Sequence, residues 1–177
     1  MAALREIALG TLVWTQPKRG QRSYVLGHRD RQIASLSFPS MLGSRAEADA
    51  DGTGYVFERS GVFRPKVIIT KSPFDQEVGR MEMSLKGNGS VEMFNGRRYA
   101  LEKKSIWKNR WDLINEQGEV LASMTVHPRL TRYEGEVTIE EKGRKDDTTV
   151  MLLTLSWYII LLMMREGGAS AAAVGGS

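Results

Sequence analysis

Three groups of residues in this chain are of types that do chemistry, and one of them has the makeup of a site. Lys103, Lys104, Lys108 and Arg110 surround Ile106 and Trp107 within a short stretch. Cationic side chains beside an apolar and an aromatic one are the composition of a contact with an anionic membrane surface. The charges meet headgroups while the rings and aliphatic groups enter the interface. Lys103, Lys104, Trp107, Lys108 and Arg110 are therefore the lipid-binding candidates, with Arg97 and Arg98 one hairpin away as an extension of the same field. The competing reading packs Trp107 at the mouth of a β-structure and leaves the lysines merely solvated.

The other two groups, histidines and carboxylates, do not assemble a reaction. His28 and His127 lie near turns and form no HExxH or comparable metal spacing. With no cysteine in the chain, disulfides, thiolate ligands and cysteine nucleophiles are all excluded. Lys86-Gly87-Asn88-Gly89-Ser90 is glycine-rich, yet it leads into a strand and lacks the lysine and helix that complete a phosphate loop. A GxSxG elbow is missing as well. Asp30, Asp75 and Asp112 read as turn and strand-surface residues. Glu134, Glu136 and Glu140 read as the solvated outer face of one strand, which also blunts edge pairing. The expectation is a non-enzymatic protein with no metal site and no cofactor.

Bulk properties narrow the partners. A length of 177 residues suits one domain with one sizeable core, and 41% hydrophobic with 26% charged residues is ordinary for a folded chain. Twenty-five basic against 21 acidic residues give a net charge of +4. That bias favours anionic surfaces but falls short of a nucleic-acid footprint, so nucleic acid is not the expected partner. The N-terminal MAALREIALGTLVW has no continuous apolar core of a signal peptide, and no lipidation motif is present. A cytoplasmic monomer, peripheral to membranes at most, is expected.

The elements that must position these residues are short strands. Ile33–Phe38, Val78–Met83 and Leu121–Val126 share one template: aliphatic, small, polar, Leu or Met, polar, apolar. Its period of two puts Ala34, Leu36 and Phe38, with their counterparts, on one face. Each copy follows a polar turn preceded by another strand, at Tyr24–Leu26, Val67–Ile69 and Trp111–Leu113, so one hairpin recurs three times. The small second residue is a place where something bulky can approach the sheet. Asn95-Gly96 is a strong hairpin signal between Val91–Phe94 and Arg97–Lys103. Tyr55–Arg59 pairs with Val62–Lys71 about Ser60-Gly61, Tyr133–Ile139 alternates cleanly, and Leu9–Gln16 and Ser44–Ala50 are further candidates. The total is roughly ten to twelve strands, which indicates a barrel or sandwich.

The C-terminus breaks the pattern. Thr148 to Met164 reads TTVMLLTLSWYIILLMM without a charge. Asp146 or Asp147 suits its start, Arg165 its end, and Gly167-Gly168 predicts a stop. A helix over 148–165 is about 27 Å long, and residues 167–177 form a low-complexity tail expected to be disordered. A helix apolar on every side must be enclosed by lipid or by protein. As a tail anchor it sits at the lower limit of the about 17–25 residues a span needs, with Lys142, Arg144 and Lys145 on its cytoplasmic flank. Against that, Thr154 and Ser156 interrupt it, and Trp157 and Tyr158 sit at mid-depth. As the axis of a barrel, it meets the inward face of the hairpins, and nine methionines suit so irregular a contact.

The order of elements resembles the superfamily of tubby C-terminal domains, phospholipid scramblases and LURP-one-related proteins, and more closely its prokaryotic tubby-like members. The residues that carry the resemblance are Trp14-Thr15-Gln16-Pro17 with Tyr24-Val25-Leu26, Ala46-Glu47-Ala48 followed by Asp51-Gly52, Arg59-Ser60-Gly61-Val62-Phe63-Arg64-Pro65, Asn95-Gly96-Arg97-Arg98-Tyr99, and Ser156-Trp157-Tyr158. It covers about residues 12 to 165. It implies a mainly β fold, a closed antiparallel barrel of about twelve strands around a buried apolar C-terminal helix. The single domain then spans 1–166, with Leu152, Leu155, Trp157, Tyr158, Ile160 and Leu161 as the helix core. Tubby domains bind phosphoinositides through basic residues on the barrel, and none of those positions is carried over to this chain. The cysteine-rich palmitoylated stretch and acidic calcium segment of the scramblase branch are absent too. The implied role is a binding or scaffold module, with an anionic phospholipid or a protein as partner.

Overall fold

Alternation of apolar and polar residues turns one face of every strand inward, and successive antiparallel hairpins carry that face round until the last strand meets the first. The computed structural model describes residues 11–18, 20–61, 65–84, 88–105, 109–129 and 132–174. Its strands are β1 Leu12–Thr15, β2 Ser23–His28, β3 Arg31–Ser37, β4 Ala46–Ala50, β5 Thr53–Ser60 and β6 Lys66–Lys71. They continue with β7 Gln76–Met83, β8 Gly89–Met93, β9 Arg98–Ser105, β10 Arg110–Asn115, β11 Val120–Arg129 and β12 Arg132–Ile139. Each pairs with its sequence neighbours, and β1 closes on β12 through Val13 opposite Glu136, giving a twelve-stranded antiparallel barrel. Closure removes the exposed edges that an open sheet would present.

The threefold repeat is visible in the register. Leu26 faces Ala34 across β2–β3, Ile69 faces Gly79 across β6–β7, and Leu113 faces Ala122 across β10–β11. Each pair lies beside a β-bulge, at Leu26/Gly27, Ile69/Thr70 and Leu113/Ile114. A bulge bends its strand and raises the local twist, so three of them at four-strand intervals spread curvature around the barrel. The small residue of the template is the inward partner at each bend.

Inside runs the second of the two helices found among the described residues, α1 Glu141–Lys145 and α2 Thr149–Val174. Every residue from 148 to 162 is buried. Leu152, Trp157, Tyr158 and Ile160 are fully covered, and Leu155 and Leu161 nearly so. The strands therefore provide the enclosure that an all-round apolar helix requires. Thr154 and Ser156 donate to the carbonyls of Val150 (2.8 Å) and Leu152 (2.7 Å), so their hydroxyls enter the core satisfied. Met81, Met93, Met124 and Met151 fill the irregular gap between helix and wall.

One boundary differs from expectation. The helix does not stop at Gly167-Gly168; it continues to Val174. Each glycine costs about 1 kcal/mol relative to alanine, whereas Ala169 and Ala171–Ala173 are the best helix formers and extend a helix already nucleated by its buried portion. Residues 175–177 lie outside the described residues.

Because all neighbours are antiparallel, odd-numbered strands end at one rim and begin at the other. Asp147 at the start of α2 meets Arg97, between β8 and β9, so that rim is the entry rim. Arg165 and Glu166 meet Met41 and Arg59, between β3 and β4 and at the end of β5, at the exit rim.

Candidate functional site

The expected basic cluster lies on the hairpin joining β9 to β10, at the exit rim. Trp107 and Lys108, with Ile106, lie outside the described residues. Lys103 places its ammonium 5.1 Å from the ring centre of Trp111, one strand over, a cation–π contact. Lys104 pairs with Glu102 at 2.5 Å, and the hydrogen bond it donates to that carboxylate raises the lysine's pKa. Arg110 donates through Nε to Asp112 Oδ1 (3.2 Å) and through Nη2 to Ser123 Oγ (3.0 Å). Ser123 in turn donates to the same carboxylate oxygen at 2.8 Å. Two of these three cations are thus answered by neighbouring carboxylates.

Asp112 corrects the sequence reading. It is 6% exposed rather than part of a solvated strand surface. A buried carboxylate needs partners, and the Arg-x-Asp spacing on one strand with Ser123 opposite supplies them. That spacing was the available signal.

Arg97 and Arg98 do not extend the cluster. Their hairpin is at the entry rim, and the eight residues of β9 hold the two groups about 25 Å apart. Arg98 instead pairs with Glu92 (3.2 Å). Arg97 donates to Asp147 (2.6 Å) and reaches Asp146 (3.4 Å). Asp146 also accepts from the Tyr99 hydroxyl (2.9 Å) and the Thr148 amide (2.8 Å). The guanidinium of Arg97 holds the Asp147 carboxyl below its usual pKa. This group clamps the first turn of α2 to the barrel, the capping role expected of the two aspartates. The clamp's barrel half, Arg97 with Tyr99, is invisible without the fold.

At the exit rim the Tyr158 hydroxyl donates to the Ser44 carbonyl (2.7 Å), and burial pushes its pKa well up. Arg22 lies over the Phe38 ring at 4.4 Å and donates to the carbonyls of Ser40 and Met41, the latter at 2.8 Å. Burial, then the nearby Arg165, lowers its pKa. Arg165 reaches the same Met41 carbonyl at 3.4 Å. The sequence reading did not single out this loop. Exposed Met41 and Leu42 beside Pro39 and Gly43 were its only signal.

The histidines stay apart. His28 Nδ1 lies 3.2 Å from the Thr11 carbonyl, and His127 Nε2 lies 3.7 Å from Glu136. No group of three or more potential metal ligands occurs among the described residues.

The architecture has a solved counterpart. A crystallographic structure of the Arabidopsis thaliana protein AT5G01750 is similar with a TM-score of 0.52 over 92% of this chain and 96% of that one, at 12% identity. At that identity the likeness concerns the fold alone. No protein-family model matches the chain, and no curated protein matches it.

Proposed function

We propose that the protein is a non-enzymatic tubby-like binding or scaffold module that presents the exit rim of its barrel to anionic phospholipid surfaces. The observation that carries the reading is the filled lumen: α2 occupies the interior with Leu152, Trp157 and Tyr158 fully buried, which leaves the exterior and the rims for partners. Membership of the tubby, scramblase and LURP-one-related superfamily fits this architecture and the plant structure that shares it. Lys103 and Lys104, the second already paired with Glu102, supply the electrostatic part of the contact; Trp107 and Lys108 lie outside the described residues. Arg110 belongs to the fold through Asp112 and is not assigned to the lipid.

Flotation of the full chain with phosphatidylcholine vesicles, with and without phosphatidylserine, tests the reading. Association only with the anionic vesicles is expected, weakened by Lys103→Glu with Lys104→Glu. Undiminished flotation of that variant excludes the lysines.

The tail-anchor alternative has one observation in its favour: α2 is long and apolar enough to cross a bilayer by length and composition. Against it, 78% of the helix from Thr149 to Glu166 is already buried by the barrel's own strands. Retention in membranes after carbonate washing would favour the anchor.

A further inference from the structure

Two large apolar side chains stand almost fully in solvent on one loop. Met41 is 74% and Leu42 95% exposed, between β3 and β4 at the exit rim. Exposed apolar residues scattered singly need no explanation, but adjacent ones on a braced loop do. This loop is braced. Arg22 ties the carbonyls of Ser40 and Met41, the Gly43 amide donates to Ser40 Oγ (3.3 Å), and Ser44 is bonded by Tyr158 and to Arg59. Fixing the backbone in advance lowers the entropy cost of inserting the two side chains.

Two cations lie at the loop, and the carboxylate nearby, Glu166, is held by Arg59. Arg22 and Arg165 converge on the Met41 carbonyl rather than on a carboxylate, so their charge is not cancelled by the groups they bind. Burial first, and then repulsion between the two guanidiniums, lowers the pKa of Arg22. An anion brought to this spot would relieve it.

Position completes the argument. In a twelve-stranded barrel the β3–β4 loop and the β9–β10 hairpin lie six strands apart, on opposite sides of the same rim. α2 leaves the barrel through the same rim and runs on to Val174, so a surface that meets both loops also takes in this helical extension, whereas a small ligand meets one loop.

We propose that the β3–β4 loop is a membrane-insertion loop, with Met41 and Leu42 entering the interfacial layer of an anionic bilayer and Arg22 and Arg165 facing its phosphates. The inference rests on the exit-rim reading above and adds to it a second, apolar anchor opposite the lysines. Lysines alone confer salt-sensitive attraction; inserted side chains add affinity that salt does not screen.

The test is flotation of four full-length proteins on the same two vesicle types: the native chain, Met41→Asp with Leu42→Asp, Lys103→Glu with Lys104→Glu, and Leu42→Trp. Met41 and Leu42 are exposed, so thermal melts of the loop variants are expected to match the native protein. The loop double variant is expected to lose tenfold or more in partitioning, by the approximate transfer energy of two apolar side chains. Leu42→Trp is expected to float and to shift its emission to the blue on anionic vesicles only. Native-like flotation of the loop double variant, with loss in the lysine variant, overturns the loop and leaves the lysine reading standing. Failure of the native chain to float overturns both. Loss of self-association in the loop variant without loss of flotation makes a second copy the occupant and also overturns the proposal.

Discussion

Trp157 of the central helix lies flat against Trp14 of β1, ring centres 5.5 Å apart and planes within 2° of parallel. Gly135 is what admits them. It faces Trp14 across the β1–β12 ladder, and a Cβ built there would stand 2.5 Å from Trp157 Cζ3. Tyr24 meets the same indole edge-on at 6.0 Å, so helix and wall are joined by aromatic contact at a site that tolerates no added atom.

Gly135→Ala is accordingly expected to destabilise the protein by about 1–3 kcal/mol through overpacking. Trp157→Ala is expected to cost about 3–5 kcal/mol through a cavity. Combined with Trp14→Ala it should show a coupling of about 0.5–1.5 kcal/mol beyond additivity. Urea denaturation reads all three, and a Gly135→Ala midpoint equal to native would show that the ring has room to move. Trp157→Asp places an unpaired carboxylate in the lumen and is expected to prevent folding.

The barrel is expected to depend on its axis. Truncation after Lys145 removes α2 and leaves Trp14, Phe57, Ile69 and Leu113 facing an empty lumen. A core so emptied has lost the apolar burial that offsets chain entropy, so loss of cooperative unfolding in calorimetry is the expected outcome.

At the entry rim, acid should loosen the clamp. A carboxyl whose pKa is lowered in the folded state stabilises that state above the unfolded value and forfeits the gain as acid protonates it. For Asp147 the loss begins as pH falls to the usual aspartate value of 3.8 and is complete below its lowered folded value. Because Arg97 and Asp147 are both roughly half exposed, the pair is expected to contribute less than about 1 kcal/mol. Arg97→Ala should therefore destabilise slightly at pH 7 and flatten the decline below pH 4, as followed by denaturant midpoints.

Alkali should act at the other rim. Burial raises the pKa of Tyr158 above the usual 10.0, so the hydroxyl stays neutral in the fold while the unfolded chain ionises. Stability is then full below 10.0 and falls as pH rises beyond it. Tyr158→Phe should cost about 1 kcal/mol at neutral pH by orphaning the Ser44 carbonyl, and should make the alkaline decline shallower.

Arg110 and Lys104 should behave differently although adjacent in the same cluster. Arg110→Ala strips a charge-assisted bond from buried Asp112 and is expected to cost about 1–3 kcal/mol. Lys104→Ala removes an exposed, solvent-screened pair and is expected to leave stability nearly unchanged. Thermal midpoints that fall equally for both would contradict the structural assignment of Arg110.

The sequence alone determined everything that depends on period and on local chemistry. Alternation in Ile33–Phe38, Val78–Met83 and Leu121–Val126 specified the repeated hairpin and its inward face, because side chains in a strand alternate strictly. Asn95-Gly96 specified its turn, and the uncharged run at Thr148–Met164 specified a helix that something must enclose. Tertiary structure decided what lies beside what. It chose protein over lipid as the enclosure of α2, set Arg97 against Asp147 across some fifty residues of chain, and buried Asp112 under Arg110. It also carried Arg97 and Arg98 away from Lys103 and brought the β3–β4 loop opposite the β9–β10 hairpin on one rim. Such relations follow from closing the sheet, a constraint distributed over twelve strands and written in no single segment.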